Sequence, residues 1–388
     1  MNTYDFTKPT LFPSTLSTTR DIEVFNSCNY KWFVSRCQRY SKYAYNNDLE
    51  AGSEFAKAVE LTRTAFYKQG LSEEEAVELG AKLIIEEFGE KYFNQNKPKE
   101  VKEEKSVDDL LDSYCDAPTT VEVKEVTPFQ DELKTPAKLE EVFRRMFKEH
   151  PMEAESITPF EMEDGTLSVE QNFSVTLPFN NPDTGEPLVL KCLLDMLGMK
   201  NGVIYVVDEK TCKSVLTDAI KQADLLRTQN QFVQYVTVAN MNKDKFGASE
   251  DLSVTHVRIN RCKIKKTYAK NEEVVVPYDF IVDVWFQKTW WNNLLYIIED
   301  MIIKYREFKE AIDNPFYNNN VIFPRAYGSA CTLFFSPCKF TYHCTSGNAQ
   351  NLEEQGFKQV VCDSSTGYKE IPLITYLKDK QNELHRTW

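Results

Sequence analysis

The sequence predicts an α/β fold with a central mixed sheet flanked by helices. Three observations predict it. Apolar residues recur at helical spacing through much of the first 150 residues, then the pattern switches to alternating runs from Leu167 onward, and helical patterns return between and after the later runs. At 388 residues, with 42% hydrophobic and 27% charged residues, the chain is an ordinary globular one, long enough for one large domain with insertions or for two domains.

The elements follow in order. A helix is expected from about Glu50 to Gln69, where Phe55, Val59, Ala65 and Phe66 share helical spacing. A second begins at Ser72, with Glu75 three residues on as in a capping box, and runs toward Phe93. Residues 97–134, rich in Lys, Glu, Asp, Thr and Pro, read as an insertion, and "PAKLEEVFRRMFKEH" as a short helix closing it. Strands are then expected at "LSVEQNFSVTLPF", at "LVLKCLLDMLGM" and, across an Asn201-Gly202 turn, at "VIYVVDEKT". One long helix is expected from Thr217 to Asn240. Two more strands, "LSVTHVRINRC" and "VPYDFIVDVWF", follow, then a helix from Lys288 to Ile312. This divides the chain into a helical segment (1–96), an acidic insertion (97–160), a sheet-containing core (161–285) and a helix with a cysteine-containing tail (286–388).

The formal net charge of −13 argues against wholesale coating of nucleic acid but leaves room for a local basic groove. The first residues lack a basic stretch followed by an apolar core, and no apolar run approaches the ~20 residues that span a bilayer, so a cytoplasmic protein without membrane contact is expected. Ten scattered cysteines do not make a disulfide scaffold.

Two apolar runs in the middle of the chain each carry an acid where burial should exclude one: Asp195 in the first and Asp208 in the second, with Lys210 two residues on. Asp208 and Lys210 share a strand face, so two carboxylates and an ammonium can converge at one end of a hairpin. Carboxylates suit Mg²⁺ or Mn²⁺, and a lysine can orient a water or offset charge on a phosphate. The spacing alone also fits charges at the end of a strand leaving the core.

These residues resemble the PD-(D/E)XK nuclease superfamily, in particular its RecB-like branch, with a restriction-endonuclease-like core. That branch has an acid ending one strand, Asp-x-Lys-Thr on the next, and Gln-x-x-x-Tyr on a following helix. Here these are Asp195, "DEKT" with Asp208 and Lys210, and "QFVQY" with Gln231 and Tyr235. The resemblance implies that these five are catalytic, that Asp195 and Asp208 hold the metal, and that Glu170 has a part. Glu209 should point to the opposite strand face. The stretch "GSEFAKAVE" keeps Gly52 and Glu60 of the branch's early helix but has Ala56 where a metal-binding histidine is usual.

The same resemblance, to AddB-type and CRISPR-adaptation nucleases, implies a [4Fe–4S] cluster on one early and three late cysteines: Cys28, Cys331, Cys338 and Cys344. Zinc is the alternative and buried apolar cysteines are a third reading. The segment "YKWFVSRCQRYSKY" interleaves Lys31, Arg36, Arg39 and Lys42 with aromatic rings, as a single-strand groove does; the competing reading packs Trp32 and Phe33 into the core. Lys213 is a further phosphate contact on this reading.

The implied activity is a metal-dependent DNA exonuclease of recombination, repair or replication, perhaps of a phage, acting on single strands or free ends. A degenerate relative kept as a DNA-binding subunit is the alternative. A helicase partner would come from another chain, since this one lacks a Gly-x-x-x-x-Gly-Lys-Ser/Thr loop.

Overall fold

A computed structural model describes residues 9–42, 46–95, 133–154, 157–213, 219–270, 272–312, 322–326, 328–331, 338–341, 344, 351–363 and 369–378. Most of the expected acidic insertion, and part of the cysteine tail, lies outside them. In chain order the elements that position the site are β1 (Thr15–Leu16), β2 (Tyr40–Ser41), α1 (Asn47–Tyr67), α2 (Glu73–Leu83), α3 (Pro136–Glu149), β3 (Thr158–Pro159), β4 (Val169–Asn180), β5 (Pro187–Lys200) and β6 (Val203–Cys212). They continue with α4 (Ala219–Arg227), α5 (Asn230–Asn240), β7 (His256–Lys263), β8 (Val275–Ile281) and α6 (Val284–Ile312).

The strands β4, β5 and β6 form the expected antiparallel meander. Asn201 and Gly202 both take left-handed backbone (φ 50° and 78°), as a two-residue Asn-Gly hairpin turn requires. Seven strands join in one sheet, ordered β1-β5-β6-β7-β8, with β3 and β4 also paired to β5. The β1–β5 and β6–β7 pairs are parallel and the others antiparallel, so the sheet is mixed, as the sequence predicts. Two helices, α4 and α5, span the crossover from β6 to the parallel β7.

Helix starts follow local chemistry. The Asn46 side chain accepts from the amides of Asp48 and Leu49, Ser72 and Glu75 close the capping box, and Thr135 caps α3 ahead of Pro136. Two boundaries differ from expectation. The helix expected over 217–240 is two helices, because Gln229 takes extended backbone (φ −71°, ψ 129°). Tertiary bonds hold the break: Asn230 donates to Glu23 and accepts from the Trp290 indole. The last strand stops at Ile281 rather than continuing through "VDVWF". Asp283 Oδ1 accepts from the Trp285 amide at 2.7 Å and starts α6 four residues before Lys288.

Among the described residues two large apolar cores flank the sheet, beside a small cluster of Ile157, Val169, Met196 and Val207. The larger joins sheet residues such as Leu190, Leu194 and Val257 to Val233 and Val236 of α5, Ile298 and Phe308 of α6, and the N-terminal Phe12, Trp32 and Phe33. The smaller packs α1, α2 and α3 against Cys262 and Val275 of β7 and β8. Among the described residues no helix is long and apolar enough to cross a membrane.

One buried ion pair ties α1 to the sheet. Arg63 donates to Glu209 on β6 at 2.8 Å, and both side chains are about fully buried (3% and 2% exposed). Truncating one partner leaves the other charge buried, which costs about 3–5 kcal/mol, whereas replacing both with apolar residues of similar size is often neutral. Denaturant unfolding of Arg63→Met should therefore show a loss of that size, and Arg63→Met with Glu209→Met should recover most of it. Equal losses in the single and double variants would mean the pair does not clamp α1.

Candidate active site

The site begins where β5 and β6 part. Their last aligned pair before the separation is Met196↔Val207, and the next residues outward are Asp195 and Asp208. From there the amide of Glu209 donates to Asp195 Oδ2 at 2.9 Å, so a side chain takes the place of a strand partner. On the other side of β5, the aligned pairs Val169↔Met196 and Gln171↔Leu194 bracket Glu170 and Asp195. Three carboxylates thus stand in a row across three adjacent strands. Glu170 holds left-handed backbone (φ 49°), a strained state for a residue with a side chain.

Lys210 lies on the same strand face as Asp208 and donates to its Oδ1 at 2.7 Å. The Asp208 side chain is fully buried, whereas that of Lys210 is 43% exposed. Asp208 Oδ2 is buried and has no hydrogen-bond partner among the described residues. Glu209 points to the opposite face, as strand alternation requires, where Arg63 takes it.

On α5, Gln231 Nε2 donates to the Tyr235 hydroxyl at 2.7 Å. The Tyr235 phenol is pushed upward by burial and by the nearby Asp208, so it stays protonated. On α1, Glu60 lies near enough to Glu170 to raise it. Ala56 sits one helical turn before Glu60, on the same helix face.

Burial, then the neighbouring Asp208, pushes Asp195 well above the usual carboxylate range. Burial also raises Asp208, against the pull of Lys210. Burial alone would lower Lys210, but Asp208 and Asp195 outweigh it and hold the ammonium well above its ordinary value. Glu170 is raised to about 7, first by burial and then by Glu60 and Glu209.

A family model of the PD-(D/E)XK nuclease superfamily matches residues 15–301. The chain belongs to this superfamily. The match runs from β1 into α6 and so contains all three acids, Lys210 and the Gln231–Tyr235 pair. No curated protein is significantly similar to the chain. PD-(D/E)XK nucleases generally use divalent metals such as Mg²⁺. The donor set here fits such an ion: two neighbouring carboxylates, one with a buried oxygen that has no partner among the described residues. Among the described residues no three His, Cys, Asp or Glu side chains converge as a complete cage, but Mg²⁺ needs only one or two carboxylates and keeps its waters.

The expected binding residues are scattered. Arg36 bonds to the buried Asp21 (2.7 and 3.2 Å) and lines a cleft beside Tyr235. Lys31 is half-buried at the Cys28 turn. Arg39 has left-handed backbone (φ 59°) and a buried Nε without a partner among the described residues. Lys42 donates to the Gln355 carbonyl at 2.8 Å, and Lys213 lies 3.5 Å from Asp48. The described rings of this segment are not a stacking platform. Tyr30, Trp32, Phe33 and Tyr40 are buried, with Phe33 stacked on Phe323 at 4.4 Å, because the local helical turns aim them into the larger core.

Cys28, Cys331, Cys338 and Cys344 share one neighbourhood. Cys344 feels the other three thiols electrostatically, and the Cys338 amide donates to the Cys331 carbonyl at 2.7 Å. Among the described residues, however, no three of them converge on a metal-sized centre. Cys37, Cys192 and Cys262 are buried, and Cys212 is half-buried, as expected of apolar cysteines.

Residues that the sequence did not single out complete the surroundings: Asp21, Arg20, Lys191 and Gln234. None carries a spacing signal: Gln234 acts across long sequence separations, and Arg20 and Lys191 are exposed cations.

Linkage gives a measurable consequence. In the metal-free protein Glu170 stays protonated up to about pH 7, well above its ordinary value of 4.5. The stability this contributes is complete below 4.5 and is lost as the pH rises through about 7. The melting temperature of metal-free protein should fall across that window, and Glu170→Gln should flatten the fall. Mn²⁺ affinity, read by calorimetry, should rise over the same window. A pH-independent melting curve in the wild type would remove Glu170 from the site.

Proposed function

We propose that the protein is a metal-dependent deoxyribonuclease of the RecB-like branch, an exonuclease working in recombination, repair or replication. One observation carries the reading: within a superfamily of nucleases, Asp208 presents a buried oxygen without a partner among the described residues, beside Asp195, with the Lys210 ammonium 2.7 Å from its other oxygen.

On this reading Asp195 and Asp208 hold Mg²⁺ or Mn²⁺. The ion, when bound, offsets charge on the scissile phosphate and makes a nearby water more acidic. Lys210 keeps its proton, and its ammonium orients the attacking water or offsets charge developing on the phosphate as a P–O bond breaks. Because Tyr235 accepts from Gln231, its own phenolic proton is free to donate to a phosphate oxygen. Glu170 and Glu60 add negative charge that favours cation binding.

The test is a nuclease assay on end-labelled single- and double-stranded DNA with Mg²⁺ or Mn²⁺. Wild type should cleave, EDTA should abolish cleavage, and Asp208→Ala should lose both metal binding and activity while remaining folded. Lys210→Ala should lose about 10²–10³-fold in turnover yet retain metal and DNA binding, the size expected for one group that stabilises transition-state charge. Full activity of Asp208→Ala would sink the site. Absence of cleavage under all conditions, with DNA still bound, would favour the degenerate-subunit reading, to which Ala56 at the usual histidine position lends support.

The same reading assigns a [4Fe–4S] cluster, or zinc, to Cys28, Cys331, Cys338 and Cys344. Its support is the shared neighbourhood of thiols drawn from opposite ends of the chain. Anaerobically purified protein should be brown and contain iron by elemental analysis, and Cys338→Ala should lose it; zinc would leave it colourless. Neither metal in careful preparations would make these cysteines core residues.

A further inference from the structure

One edge of β5 is bare beside the carboxylates. The strand β1 pairs with it only at Val189 and Leu190, and β6 joins the same edge only from Met196. Between them a cleft of about 740 Å³ opens, floored by Lys191, Cys192 and Leu193 and walled by the Thr15–Arg20 segment and by Gln231, Gln234 and Tyr235 of α5. Tyr235 belongs to both cleft and active site, since the charges of Asp208, Lys210 and Asp195 all act on it.

Its chemistry contrasts with the rest of an acidic chain. Among the described residues no carboxylate lines the cleft, while Arg20, Lys191 and the Asp21-paired Arg36 do, among hydroxyl and amide side chains. Arg20 and Lys191 are exposed. Neither has an ion-pair partner among the described residues. Strand alternation puts Lys191, Leu193 and Asp195 on one face of β5, a row about 13 Å long that ends at the metal-binding carboxylate. Leu193 is 42% exposed and Asn172, its registered partner on β4, is exposed too. Cations for phosphates beside an accessible apolar side chain, in a space that encloses only a small ligand, suit a short stretch of one unpaired strand rather than a duplex.

We propose that this cleft is the track for single-stranded DNA, its phosphates met by Arg20, Lys191 and Arg36 and its scissile phosphate delivered to Asp195 and Asp208. The inference rests on the nuclease reading above and names the substrate form that site accepts. Gln234 keeps the track open. Its side chain donates to the Lys191 carbonyl at 3.0 Å and accepts from Thr18, so one carbonyl of the bare edge is satisfied without a covering strand.

The test measures binding apart from cleavage. Fluorescence anisotropy with a labelled oligonucleotide and its blunt duplex, in the presence of EDTA, would compare wild type with Arg20→Gln/Lys191→Gln and with the charge reversal Arg20→Glu/Lys191→Glu. Wild type should bind the single strand at least ~10-fold more tightly than the duplex, a difference of about 1.4 kcal/mol. The glutamine pair should weaken single-strand binding, and the logarithmic salt dependence should flatten by about 1.4, about 0.7 for each phosphate that is no longer neutralised. Charge reversal should weaken it further. Unchanged single-strand affinity in either variant, or a duplex bound as tightly as the single strand by wild type, would overturn the proposal. The uncharged pair serves if reversal impairs folding, since both side chains are exposed. Cleavage by wild type with no effect of the substitutions on binding would leave the nuclease reading standing and remove the cleft; the predicted binding without any cleavage would do the reverse.

Discussion

A strand edge left unpaired inside a sheet has amides and carbonyls that something else must satisfy, and the organisation of this molecule follows from how β5 meets that requirement. Its neighbours β1 and β6 do not meet along it. In the gap, Gln234 reaches from α5 to the Lys191 carbonyl, and Asp195 accepts the Glu209 amide where β6 turns away toward β7. Side chains that would otherwise be hidden beneath a continuous ladder face an opening. Divergence of neighbouring strands is a general way for sheets to create ligand crevices, and here it places polar groups from β5 and α5 around one space.

The divergence also explains how charge is tolerated near the sheet's centre. On β6, alternation sends Asp208 and Lys210 to one face and Glu209 to the other. The two buried acids are each neutralised, Asp208 by Lys210 and Glu209 by Arg63. The helix α1 serves both sides of this arrangement. Its Arg63 clamps Glu209, and Glu60, three residues earlier, acts on Glu170. The buried ion pair fastens this helix to β6, the strand that carries Asp208 and Lys210. The strained φ of Glu170 is held by the same packing.

Much of this was legible in the sequence, for identifiable reasons. The meander showed because β4, β5 and β6 alternate cleanly and Asn201-Gly202 has one favoured turn geometry. Asp195, Asp208 and Lys210 showed because charge interrupts apolar runs, and Gln231 with Tyr235 through the resemblance to Gln-x-x-x-Tyr, a spacing that puts both on one helix face. The break before Asn230 did not show, since bonds to Glu23 and Trp290 decide it over long separations. Nor did the fate of Trp32 and Phe33: alternating basic and aromatic residues look alike whether the rings face solvent or a core. Arg20 and Lys191 were invisible for a simpler reason. An exposed cation has no local signature until the fold shows that no acid stands beside it.

The two charge environments that meet at Tyr235 constrain the order of events on the proposed reading. Without a cation, Asp195, Asp208 and Glu170 would repel a phosphate, and burial shifts them toward their neutral forms instead. A divalent ion, together with Lys210, offsets the carboxylate charge at that end of the row, while Arg20 and Lys191 keep the other end positive; Arg36 is already paired with Asp21. At about 0.1 M salt the screening length is about 10 Å, so the acidic remainder of the surface is largely hidden from a strand already in the cleft, whereas carboxylates in contact with it are not. A strand can therefore dock by its flanking phosphates before the ion arrives, but its scissile phosphate can settle between Asp195 and Asp208 only with the ion. Binding without metal and cleavage with it are consequently separable properties of one continuous surface.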